Sequence, residues 1–229
     1  MQVSLLDAMD ASPNTISYSP NASVLIGLVE PESENSMATS TPAVPDGWRV
    51  NDRIQGMVDR PVAVKFAPID HNPDYEAIEP AGYRCDCLVY NSEEHIVVFV
   101  ELKDRRDPEG KDIEAIAKLC VEANALSVVS KDDREEWLPK AVIQLQQTIE
   151  RFKESDPVEF AVRKSLHAAY VSNRKKGYGI PYVCECLRAS FKARTTFTLY
   201  VTTKISMFSP AGATVSKLMT DDMFREMTE

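Results

Sequence analysis

Asp86 and the triplet Glu101-Leu102-Lys103 are the residues whose types and spacing could do chemistry. Each lies at the end of an apolar, strand-like run. Arg84–Tyr90 and Ile96–Lys103 are joined by the short polar link Asn91–His95, so they should form a β-hairpin. If Asn91 pairs with Ile96, leaving the loop Ser92–His95, then Asp86 falls opposite Glu101. Directly opposed residues share a face, with Cβ atoms about 5 Å apart. Lys103 follows on that same face, two residues on. Two facing carboxylates repel one another unless a cation sits between them. Hard divalent cations take carboxylate oxygens, and Mg²⁺ keeps several waters. A metal-bound water is a better nucleophile, and a nearby ammonium can orient it or stabilise charge on phosphorus. The expected chemistry is hydrolysis of a phosphodiester assisted by Mg²⁺ or Mn²⁺, with Asp86 and Glu101 as metal ligands.

The elements that must position these residues can be read from the surrounding pattern. Val62–Phe66 alternates and predicts a strand. His71–Pro80 carries two prolines and several acids and reads as a loop. Beyond the hairpin, Asp112 caps a helix with apolar positions Ile113, Ile116, Cys120 and Ala123. A second helix opens with Pro139 at its first position. Val142, Leu145, Ile149 and Phe152 form its buried stripe, and Gln144, Gln147 and Arg151 line another face. Leu166–Ser172 and Thr195–Thr203 read as further strands. Strands, then helices, then strands indicate a mixed α/β domain over residues 46–229. Residues 1–45 contrast with it. Nineteen of them are Ser, Thr, Pro or Asn and none is a cation, so they are expected to form a flexible segment. The rival expectation is that Val24–Val29 docks as an edge strand or helical turn.

Asp86, fourteen intervening residues and then Glu101-Leu102-Lys103 closing an apolar strand resemble the PD-(D/E)XK nuclease superfamily. This group includes type II restriction enzymes, Holliday-junction resolvases and RecB-type nuclease domains. The resemblance covers residues 76–205. It implies a restriction endonuclease-like core, a mixed central β-sheet flanked by helices, and endonuclease-like cleavage of DNA or RNA. It also implies that Asp86 and Glu101 hold Mg²⁺ or Mn²⁺ while Lys103 assists the attacking water. Cys85 stands where the family's proline often precedes the aspartate. An upstream carboxylate is implied, for which Glu76 and Glu79 both qualify. A glutamine on the next core helix is implied as well. Gln144 or Gln147 fits, and Gln144 is preferred because it lies nearer the helix start. The RecB-type Gln-x-x-x-Tyr pattern is not matched, because Thr148 takes its last position.

Charge at first argues against a nucleic-acid substrate, since the net formal charge is −9. Its distribution argues the other way. Arg163–Lys204 holds nine cations and one acid, a local +8, which leaves −17 on the rest of the chain. Within that segment Arg174, Lys175 and Lys176, followed by Tyr178, are expected to track a phosphate backbone and stack a base. The alternative is a solvated basic turn. No apolar run approaches the ~20 residues a membrane span needs, and the first cation, Arg49, comes too late for a secretory or mitochondrial leader. The expected location is the cytoplasm, or the nucleus in a eukaryote, with no membrane partner. The acidic remainder also suits protein contacts, so an inactive nuclease-fold interaction module is the rival function, either as a homo-oligomer or as a subunit of a larger assembly.

Five cysteines are few and odd in number, which makes a disulfide scaffold a poor reading. Cys85-Asp86-Cys87 and Cys184-Glu185-Cys186 could together hold zinc through four thiolates. The blander expectation is that Cys85 and Cys87 both point away from Asp86 into the core. His71, His95 and His167 are isolated in sequence and form no metal or triad pattern.

Overall fold

The computed structural model describes residues 4–19, 25–29, 35–42, 54–59, 63–80, 82–91, 96–103, 137–157, 160, 165–172, 189, 191–202 and 204–206. The helix expected after Asp112, the basic loop 173–179, the hairpin loop Ser92–His95 and the Cys184–Cys186 pair lie outside them.

Among the described residues, ten strands form two sheets. The larger has the order β1 (Ile16–Tyr18), β5 (Val64–Pro68), β6 (Cys87–Asn91), β7 (Ile96–Lys103), β8 (Ser165–Ser172), β9 (Thr198–Thr202). β1, β5, β6 and β7 are antiparallel in turn, whereas β8 and β9 run parallel to β7. The sheet is therefore mixed. A parallel neighbour cannot be reached by a tight turn and needs a long crossover. Part of that crossover is α3 (Trp137–Ser155), which packs on β7 and β8.

β6 and β7 are buried on both faces, which is why their sequences are almost continuously apolar. One face presents Leu88, Tyr90, Val97 and Phe99 to Val142, Leu145, Ile149 and Phe152, the expected stripe of α3. Phe99 meets Phe152 edge to face, with ring centroids 5.1 Å apart. The short helix α2 (Pro73–Glu76) adds Tyr75, stacked on Phe152 at 5.9 Å.

The other face presents Cys87, Val89, Val98, Val100 and Leu102 to Ile26 and Leu28. These belong to the second sheet, whose order is β10 (Lys204–Ser206), β4 (Ile54–Asp59), β2 (Leu25–Val29), β3 (Thr39–Thr41). A central sheet flanked by helices was expected. Among the described residues they cover one side, and a second sheet covers the other. The apolar run Leu25–Val29 has the strand length and the buried face that make this packing work.

Residues 1–45 were expected to be flexible, and their described residues include α1 (Leu5–Ala11), β1, β2 and β3. Average composition hid a local pattern here. Ser4 caps α1 by accepting the N–H groups of Leu6 and Asp7. Leu5, Leu6 and Met9 then fall on one buried face. Ser4 Oγ donates to Asp156 (2.8 Å), and Leu5 N–H donates to Ser155 Oγ (3.3 Å), fastening α1 to the end of α3. β2 is an inner strand, flanked by β3 and β4. Among the described residues, no helix is long and apolar enough to cross a membrane.

Candidate functional site

The hairpin has the expected register. Asn91 pairs with Ile96, and the ladder runs to Cys87 opposite Val100. The next residues on the two strands are Asp86 and Glu101. Asp86 precedes β6 and touches both neighbouring strands. Its carbonyl accepts the Ile69 N–H (2.9 Å), and its Oδ2 accepts the Leu102 N–H (2.5 Å). A side-chain carboxylate thus satisfies a main-chain donor beyond the last ladder pair. Asp86 is 8% exposed and Glu101 is 0% exposed. Lys103 is the last residue of β7, paired with Ser172.

The segment leading into Asp86 has lost its strand partner, and α3 replaces it with side chains. Gly82 has φ +118°, a conformation that favours glycine. Tyr83 N–H then donates to Gln147 Oε1 (3.1 Å), Gln144 Nε2 donates to the Arg84 carbonyl (2.8 Å), and Cys85 N–H donates to Thr148 Oγ1 (2.9 Å). Positions 144, 147 and 148 share one helix face, so one side of α3 grips three consecutive residues. The Thr148 hydroxyl in turn donates a hydrogen bond to the Gln144 carbonyl (2.8 Å). Gln144 therefore reaches the segment before Asp86 with its amide nitrogen, while its buried Oε1 has no hydrogen-bond partner among the described residues.

Glu76 and Glu79, the two candidates for an upstream carboxylate, both meet arginines. Arg84 Nη1 lies 2.8 Å from Glu76 Oε1, and Arg84 Nη2 donates to the Glu79 carbonyl at 2.6 Å. Arg151 Nε lies 3.2 Å from Glu79 Oε1. Arg84 is nearly buried and also stands over the Tyr75 ring, 5.3 Å from its centroid.

Cys85 and Cys87 do not both point away from Asp86 into one layer, as expected, but join different core clusters. Cys85 lies with α3, whereas Cys87 faces the second sheet, because neighbours two apart share a face only within a regular strand and Cys85 precedes β6. Burial pushes both thiols well above their ordinary value. The Glu101 charge adds to this at Cys85 and the Asp86 charge at Cys87, against a hydrogen bond from Thr148 at Cys85. Among the described residues, no three His, Cys, Asp or Glu side chains converge as a metal site.

Arg174, Lys175 and Lys176 lie outside the described residues. Of the same basic segment, Lys192 and Arg194 are exposed on a helical stretch over 191–195, and Arg194 Nε lies 3.6 Å from Glu150. Sequence reading missed the turn Ile69–Asn72, which abuts Asp86 through the Ile69 N–H. It treated His71 as isolated because adjacency across strands has no signature in linear spacing. No family model matches this chain, and neither a curated protein nor a solved structure does.

Proposed function

We propose that the protein is a metal-dependent phosphodiesterase acting on DNA or RNA, built on a restriction endonuclease-like core. The observation that carries this reading is the hairpin register, which makes Asp86 and Glu101 the first residues beyond the Cys87–Val100 pair. Two buried acids in adjacent positions are costly when both are ionised, and a divalent cation would offset that cost. Their oxygen donors suit Mg²⁺ or Mn²⁺, which bind through one or two carboxylates, with waters and substrate phosphates completing the shell. When bound, the cation supplies a more acidic water and screens charge on the phosphorus.

The chain's own residues do the rest. Asp86 and Glu101 hold the site together from two strands. Lys103, at the end of β7, takes the role of orienting the attacking water and countering negative charge in the transition state. Gln144, Gln147 and Thr148 hold residues 83–85, so that Asp86 keeps its place. Arg174, Lys175 and Lys176 bind the phosphate backbone. The mixed sheet with α3 on one face supports the assignment of the core.

The test is cleavage of plasmid, single-stranded DNA and RNA with Mg²⁺ or Mn²⁺. Wild-type protein should cut at least one substrate, while Glu101→Ala and Lys103→Ala should not. Equal activity in all three would trace the cleavage to a contaminant and remove the proposal. The complete burial of Glu101 favours a second reading, an inactive nuclease-fold interaction module. Wild-type protein that binds Mn²⁺ but cuts nothing would select it.

A further inference from the structure

On the side of β7 away from Asp86, the residue set against Glu101 is a tyrosine. β8 runs parallel to β7 along its whole length, from Ile96 with Ser165 to Lys103 with Ser172, and this register puts Tyr170 opposite Glu101. Neighbouring strands lie about 4.8 Å apart, so the two residues hold adjacent positions.

Their face follows from alternation. Val97 and Phe99 belong to the core cluster of α3, whereas Val98, Val100 and Leu102 belong to the cluster against the second sheet. Glu101 therefore stands on the α3 face. β9 puts Tyr170 on that face independently. Leu199, a member of the α3 cluster, pairs with Ala168, and Tyr170 comes two residues later on β8, opposite Val201.

Glu101 is fully buried. An ionised carboxylate only accepts hydrogen bonds, and burying one is costly unless donors or a cation meet it. The sheet positions around Glu101 on its face are few. Phe99 precedes it on β7 and has no proton to give, and Lys103 follows it. Toward β6, beyond the Cys87–Val100 pair, comes Asp86, whose Oδ2 accepts the Leu102 N–H. Toward β8 comes Tyr170. A lysine ammonium carries a positive charge that repels a bound cation, whereas a phenol is a neutral donor at pH 7 and does not. One such donor satisfies part of a carboxylate and leaves its remaining lone pairs to a metal.

We propose that Tyr170 is a positioning residue for Glu101, its phenol the donor that orients the carboxylate for the cation. This rests on the phosphodiesterase reading and adds to it a residue from β8. The role is exerted on Glu101 and not on the substrate. It therefore governs how tightly the cation is held, and not the rate once the cation is bound.

The test reads Mn²⁺ in two ways, as the Kd of the metal alone in calorimetry and as the concentration that gives half-maximal cleavage. Tyr170→Phe keeps the ring and removes the hydroxyl. Both constants should weaken by about 10–100-fold, while the cleavage rate at saturating Mn²⁺ stays near that of wild type. Tyr200→Phe makes the same change one strand away, at a position paired with Ala169 and so on the opposite face. It should leave both constants unchanged. Unaltered Mn²⁺ binding in Tyr170→Phe, a loss of rate in that variant that saturating Mn²⁺ does not restore, or an equal weakening in Tyr200→Phe would overturn the proposal while leaving the phosphodiesterase reading intact. Wild-type protein that neither binds Mn²⁺ nor cuts would overturn both.

Discussion

The Asp86 carboxylate accepts the main-chain N–H of Leu102 at 2.5 Å, which ties one candidate metal ligand to the residue that follows the other. Asp86→Ala removes the acceptor and leaves a buried donor unsatisfied. It should cost about 1–3 kcal/mol in urea unfolding. Asp86→Asn keeps an oxygen for Leu102 but loses the charge, so it should remain nearer wild-type stability while losing Mn²⁺ binding in calorimetry.

A cation that binds only the folded site must stabilise it by mass action. At a free concentration one hundred times the Kd, the gain is about 2.7 kcal/mol. Mn²⁺ should raise the melting temperature saturably, and a chelator should reverse the rise. Glu101→Gln should abolish it. A rise that persists in that variant would place the binding elsewhere.

The Thr148 hydroxyl is the acceptor for the Cys85 N–H. Thr148→Val keeps the shape but strands that buried donor, and it should cost about 1–3 kcal/mol. Thr148→Ser restores the acceptor and should recover most of the loss, as read from urea midpoints.

Two buried thiols set a limit at alkaline pH. Cys85 and Cys87 titrate above their ordinary value of 9.0 because burial disfavours the thiolate. Above that value the unfolded chain has released protons that the folded chain still holds. Stability is therefore fully present below pH 9.0 and should fall as pH rises beyond it, by about 1.4 kcal/mol per pH unit for each thiol. Cys87→Ala should flatten part of that slope in denaturation curves taken from pH 8 to 10.

Met9 is fully buried in the core cluster that holds α3. Met9→Ala should cost about 2–5 kcal/mol. A change below about 0.5 kcal/mol would show that α1 is only loosely attached, since surface substitutions stay within that range.

The sequence by itself determined what a repeating period determines. Alternation of two fixed the faces of β6 and β7, and a short polar link fixed their register, so the ladder from Asn91–Ile96 to Cys87–Val100 was legible before any coordinates. The helical period likewise fixed Val142, Leu145, Ile149 and Phe152 as the buried stripe of α3. The tertiary structure decided whatever depends on which distant groups find one another. Gln144, Gln147 and Thr148 were readable as a polar helix face, but their use on residues 83–85 was not. Glu76 and Glu79 remained equal candidates until Arg84 and Arg151 engaged them. Residues 1–45 looked unstructured because composition averages over a segment, whereas burial is decided residue by residue. Leu5, Leu6 and Met9 bury against a core built some 60 to 190 residues later. A period is local and can be read along the chain, but a partner for an orphan main-chain group is supplied by whichever element packs beside it.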